Sequence, residues 1–298
     1  PPHGLSNLPV EFDDSADSFP RFLEIQEIDR GGMGSILSVH DPNANRSIAV
    51  KTLLPDCSHN PRAMHRLLRE ARITAGLEHP NIVPVHDAGQ TADGTCFFCM
   101  KLVGGQSLAE VLAGLGDLVQ VRETPHDGTR LLGDFMKMCD ALHFAHSRGI
   151  VHRDLKPGNV MIGSFGEVLV MDWGLAKASG ADLGEETSGG EGAREPALEN
   201  LDRYLASKAP DTDRTQDGAI LGTPVYMPPE QAEGKIEEVD AQSDIYSLGA
   251  ILYQVLTLEA PFRGNRVAVI LAHVLNGNFP PPRERNPEAF IPRDLEAV

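Results

Sequence analysis

Between residues 22 and 102 the apolar positions come in short runs separated by turn residues, the pattern of strands rather than helices. Residues 22–28, 36–40 and 47–53 read as three strands. The first two are separated by the glycines Gly31, Gly32 and Gly34, the next two by the turn signal Asp41-Pro42-Asn43-Ala44-Asn45. A helix is predicted from Asn60-Pro61, a capping residue followed by proline at the first helical position, and is expected to end at His79-Pro80. Two more strands follow near 82–87 and 96–102. This part therefore reads as five strands and one helix.

Beyond a Val-Gly-Gly hinge at 103–105 the period changes. Leu131, Phe135, Met138, Leu142 and Ala145 recur at helical spacing and mark one face of a long buried helix. Runs 160–162 and 168–171 read as short strands around a turn at Ser164-Phe165-Gly166. They would carry Asn159 and Asp172 on opposite ends of a hairpin. Ile245, Leu248, Leu252 and Val255 mark another buried helix, so the second half is mainly helical. There is no internal repeat. Residues 178–220 are rich in Gly, Ala, Asp, Glu, Ser and Thr and nearly free of aromatics, too polar to order themselves by burial. A short helix over 198–206 is the one element expected there. Residues 1–20, rich in Pro, Ser and Asp, read as a flexible N-terminal segment.

Composition narrows the function classes. A net charge of −17 argues against nucleic acid and against a basic membrane-surface patch. No run of eighteen apolar residues is present, so no transmembrane helix is expected in this stretch, and the N-terminus lacks a signal-peptide core. The four cysteines point to a reducing compartment. Cys96 and Cys99 have the gap of a zinc pair, but they lie in an apolar strand with no second pair at zinc spacing, so they read as core.

The chemistry concentrates in His152-Arg153-Asp154-Leu155-Lys156-Pro157-Gly158-Asn159, followed by Asp172-Trp173-Gly174. Phosphoryl transfer needs the phosphates, the metal and the attacking oxygen aligned, and the developing charge neutralised. Asp154 suits the base that takes a hydroxyl proton, and Lys156 the γ-phosphate. Asn159 and Asp172 offer oxygen to Mg²⁺, which prefers oxygen ligands. The glycines at 31, 32 and 34 let backbone N–H groups approach phosphate.

These residues resemble the catalytic loop of eukaryotic-like (Hanks-type) protein kinases, and the similarity runs from about residue 20 to 298. Gly31-Gly32-Met33-Gly34 resembles the glycine-rich loop, Ala49-Val50-Lys51 the strand-three lysine motif, and Glu70 its helix-C partner. Pro228-Pro229-Glu230 sits where the family has Ala-Pro-Glu, and Asp244 matches the buried aspartate that opens helix F. The Gly-Gly-Met-Gly loop and Met-Pro-Pro-Glu-Gln are similar to the bacterial Ser/Thr branch.

The resemblance implies an α+β, two-lobed fold with ATP in the cleft. The small lobe, 21–102, would hold five strands and helix C. The larger lobe, 106–298, would be mainly helical, with 178–220 as a long activation-segment insert. Residues 291–296 read as the start of a helix with further family helices beyond, so the large lobe would be C-terminally truncated and the chain a piece of a longer protein. By the same resemblance the catalytic set is Asp154, Lys156, Asn159, Lys51 and Glu70, with Mg²⁺, or Mn²⁺ in its place, on Asn159 and Asp172. ATP would meet Gly31, Gly32, Gly34 and Lys51 at its phosphates. Ile36, Ala49, Met100 and Met161 would enclose its adenine, with Lys101 to Val103 as the hinge. An apolar stack would comprise Thr74, Val85, His152 and Trp173, anchored on Asp244.

The implied function is a serine/threonine protein kinase, ATP-dependent, acting on Ser/Thr hydroxyls of proteins and on itself at Thr215 or Thr212. Thr223 would bond Asp154 and Lys156. A cytoplasmic location is expected, either free or as the cytoplasmic domain of a membrane-anchored protein. Two residues depart from the family pattern: Asp29 replaces the first loop glycine, and Trp173 replaces phenylalanine. Asp29, the acidic loop and Thr74 motivate an alternative, a nucleotide-binding pseudokinase acting as a signalling scaffold. A small-molecule kinase of the aminoglycoside type is the third reading. Those enzymes carry His-Gly-Asp where this chain has His152-Arg153-Asp154, and they lack the Pro-Pro-Glu segment.

Overall fold

The computed structural model describes residues 22–91, 93–118, 126–178, 224–289 and 291–297. The chain divides into two compact units, one of 22–71 with Val85–Leu102, the other of Arg72–Pro84 with 103–297.

In the first unit, β1 (Leu23–Arg30), β2 (Gly34–Asp41), β3 (Arg46–Leu53), β4 (Val85–Gln90) and β5 (Cys96–Lys101) form an antiparallel sheet in the order β1-β2-β3-β5-β4. Phe22, Val39, Ile48, Val50 and Cys99 form its small core. Burying an Ile or Val side chain there contributes about 2 kcal/mol. Cys96 is buried on the same strand as Cys99. Helix α1 (Pro61–Ala75) starts where the sequence predicts, because Asn60 Oδ1 accepts the N–H of Arg62 at 3.0 Å and of Ala63 at 3.4 Å. It ends four residues before the expected stop at His79-Pro80. Gly76 follows Ala75 and closes onto the Arg72 carbonyl at 3.1 Å.

In the second unit, β6 (Gly105–Ser107) pairs with β8 (Val160–Gly163), which pairs with β9 (Val168–Val170). Two further short strands, β7 (Ile150–Val151) and β10 (Lys177–Ala178), pair with each other. Helices α2 (Leu108–Leu118), α3 (His126–Ser147), α4 (Pro229–Ala232), α5 (Ala241–Thr257), α6 (Val267–Asn276), α7 (Pro282–Arg285) and α8 (Arg293–Glu296) supply the remainder. Leu131, Met138, Leu142 and Ala145 are buried along α3, with Phe135 packed against the same core, as the periodicity predicts.

On α5, Leu248, Leu252 and Val255 are buried, but Ile245 is 52% exposed, contrary to expectation. It lines an apolar cavity of about 460 Å³ with Phe279 and Leu295, which cover it only in part. Among the described residues no helix is long and apolar enough to cross a membrane.

Candidate active site

In the first unit the glycines close the β1–β2 connection. Gly31 N–H donates to Gly34 O at 2.8 Å, and a Cβ on Gly34 would stand 2.5 Å from the Thr52 carbonyl oxygen. Only glycine allows that approach to β3. Asp29 lies opposite Ile36, and its carboxylate accepts the N–H of Arg30 at 2.8 Å. Lys51 lies between Ile36 and Phe98 in register, and its Nζ meets Glu70 Oε1 at 2.5 Å. Ala49 and Met100 are register partners and both buried, and Lys101 ends β5. Val103 and Met161 belong to the second unit, Met161 half-buried on β8.

The second unit builds its loop around Asp244. Oδ2 accepts the N–H of His152 at 2.8 Å and lies 2.7 Å from His146 Nε2, while Oδ1 accepts the N–H of Arg153 at 2.9 Å. Asp244 is 1% exposed, so these bonds replace the water its charge has lost. It is held in place by α5, which starts at a capping box. Asp240 accepts the Gln242 N–H at 2.7 Å, and Ser243 Oγ accepts the Asp240 N–H at 3.1 Å. Ser243 Oγ also donates to Glu230.

His152 is fully buried. Its Nδ1 accepts the Asp154 N–H at 3.2 Å, so the proton sits on Nε2, which donates to Met171 O at 3.0 Å. Its ring lies 4.7 Å from that of Trp173, also fully buried, and the Trp indole keeps the apolar bulk expected there. Thr74 is buried in the same unit, while Val85 belongs to β4 of the first.

Asp154, Lys156 and Asn159 come together. Asp154 Oδ2 lies 3.2 Å from Lys156 Nζ and 3.2 Å from Asn159 Nδ2, which also donates to Asp154 O at 2.8 Å. Asn159 and Asp172 stand at the two chain ends of the β8–β9 hairpin. Antiparallel pairing brings those ends side by side, and Met171 N–H donates to Asn159 O at 2.8 Å. Asp172 has φ +59°, a left-handed conformation that L side chains seldom adopt.

The donor set fits a hard divalent ion. Because Asn159 spends its Nδ2 on Asp154, its Oδ1 is the atom left to ligate, and Asp172 supplies a carboxylate at the other end of the hairpin. Among the described residues no group of three or more His, Cys, Asp or Glu is placed to hold a metal. Two protein oxygens completed by substrate phosphates is the habit of Mg²⁺.

Thr212, Thr215, Thr223, the 198–206 helix, residues 1–20 and nearly all of 178–220 lie outside the described residues. His146, Ser243 and Gln231 are polar residues around this loop that sequence reading missed. A buried-face position for His146, and the serine three residues after Asp240, were the available signals.

A family model described as the protein kinase domain matches residues 22–191. The chain is 34% identical over 279 residues to the serine/threonine-protein kinase PknD of Protochlamydia amoebophila, covering 91% of this chain and 26% of that protein. To PknD of Chlamydia pneumoniae it is 35% identical over 282 residues, covering 93% and 28%. To the serine/threonine-protein kinase PknB of Mycolicibacterium smegmatis it is 36% identical over 272 residues, covering 90% and 37%. The chain thus spans 26% to 37% of the length of these curated relatives. By these matches and by its fold, the chain belongs to the protein kinase family, in its bacterial serine/threonine branch.

Proposed function

We propose that this chain is the catalytic part of a serine/threonine protein kinase. It transfers the γ-phosphoryl group of Mg-ATP to Ser or Thr hydroxyls of proteins, including its own 178–220 segment. The observation that carries this reading is the arrangement around Asp154, whose Oδ2 lies 3.2 Å from both Lys156 Nζ and Asn159 Nδ2. A carboxylate so held suits the base that orients an incoming hydroxyl, with the lysine placed for phosphate charge.

In this reading Lys51, fixed by Glu70, meets the α and β phosphates beneath the glycine backbone. Ile36, Ala49 and Met100 of the first unit line the face that adenine meets, and the backbone of Lys101 bonds it. Asn159 and Asp172 would hold Mg²⁺, which would supply positive charge against the transferred phosphate. Arg153 offers a guanidinium fork to a phosphate on Thr215 or Thr212.

The test is transfer of labelled phosphate from Mg-ATP to a protein acceptor by the full-length protein, with the labelled residues mapped. Label on Ser and Thr, lost by roughly 10²-fold or more in Asp154→Asn, supports the reading. Undiminished transfer by Asp154→Asn refutes the role of Asp154. ATP that raises the melting temperature without any turnover moves the reading to a nucleotide-binding scaffold.

A further inference from the structure

The peptide joining Arg153 to Asp154 carries the proposed base, and it is held at both edges. Its N–H, that of Asp154, donates to His152 Nδ1 at 3.2 Å. Its carbonyl, that of Arg153, accepts from Gln231 Nε2 at 3.2 Å. Arg153 itself has φ +69°, a left-handed conformation that a side-chain-bearing residue keeps only when its surroundings impose it. Asp244 fixes the N–H of Arg153, and Gln231 fixes its carbonyl.

Gln231 is 3% exposed and lies in α4, the short helix that follows the 178–223 segment. A buried polar side chain is costly unless bonded, and Gln231 Oε1 has no hydrogen-bond partner among the described residues. Gln231 lines, with Arg153, Asp154, Tyr226 and Ser247, a cavity of about 10 Å³. That is close to the room a single water needs. A glutamine kept there at such cost is better explained by its bond to the loop than by packing.

We propose that Gln231 is a positioning residue for the base, its side-chain amide fixing the peptide plane that carries Asp154. This rests on the reading of Asp154 as the base. It makes the geometry of that base depend on how the turn at 228–232 is docked, a turn outside the catalytic loop.

The test compares Gln231→Met and Gln231→Glu in the full-length protein. Methionine keeps the bulk and removes the donor. Its kcat should fall by about tenfold or more, while KM for ATP stays within about twofold and amide exchange at residues 153–155 becomes faster. Glutamate donates only when protonated, so Gln231→Glu should regain activity relative to the parent as pH falls from about 8 to 6. A purely structural role predicts no such recovery. A Gln231→Met kcat within about twofold of the parent overturns the proposal. Should Gln231→Met fail to fold, a Gln231→Glu pH profile parallel to the parent's overturns it. If the parent itself shows no turnover, the kinase reading fails, and exchange decides the clamp alone: unchanged protection at 153–155 in Gln231→Met overturns it.

Discussion

Lys51 and Glu70 stand 19 residues apart in sequence and close an ion pair of 2.5 Å between strand β3 and helix α1. Their side chains are 22% and 9% exposed. Removing one partner leaves the other's charge poorly solvated. Lys51→Met should therefore cost about 2 kcal/mol of stability and lower phosphoryl transfer by roughly 10²-fold. The double change Lys51→Met with Glu70→Leu should recover much of the stability and none of the activity. Urea denaturation beside a transfer assay checks both. Additive losses of stability in the double variant would contradict the pairing.

Asp244 serves three donors with two oxygens. In Asp244→Asn an NH₂ group must face at least one of the N–H groups of His152 and Arg153. The expected loss is about 3 kcal/mol, read as a lower denaturation midpoint with an unchanged slope. A loss below about 0.5 kcal/mol, the ordinary range of surface changes, would mean the carboxylate does not organise the loop.

Two glycines should respond in opposite directions. At Gly105 a Cβ would fall within the Ile162 carbonyl and 2.8 Å from Gly163 Cα, both backbone. Gly105→Ala should therefore destabilise by about 2 kcal/mol. At Gly114, in α2, a Cβ meets nothing within 4 Å. Gly114→Ala should stabilise by about 0.5–1 kcal/mol through the lost freedom of the unfolded chain. Thermal melts of the pair check the contrast.

Stability should also fall at high pH. Burial, helped by the Glu230 carboxylate, pushes the Tyr246 phenol up to about 12, and burial raises Tyr226 despite its bond to Gln254. Both phenols stay protonated in either state below about pH 9, so they add no slope there. Between about 10 and 12 the unfolded chain loses its protons first and is favoured. Tyr246→Phe should flatten this decline. Equal slopes for parent and variant would show that Tyr246 keeps no proton by folding.

Four strands of the first unit were legible because turn residues bracket each apolar run. The fourth in chain order, expected near 82–87, runs Val85–Gln90, because Ile82 instead bridges Val170 in the second unit. The end of α1 was misplaced because Pro80 is the louder breaker, while Gly76 closes the helix quietly by bonding back to Arg72. Ile245 kept the period of its buried neighbours, yet period does not reveal how much of a face the next elements cover. In the site, Asp154, Lys156 and Asn159 lie close in sequence, so their grouping followed from spacing. His146 meets Asp244 across 98 residues and Gln231 meets Arg153 across 78, contacts that only tertiary packing creates.

Asp154 as the base of a phosphoryl transfer is open to a single test on the whole protein. The most direct measurement incubates the full-length protein and its Asp154→Asn variant with Mg-ATP and weighs both by intact mass spectrometry. Added phosphate is expected on the parent, mapping to Ser or Thr of the 178–220 segment, and none on the variant. Equal phosphate on both proteins would contradict that role of Asp154.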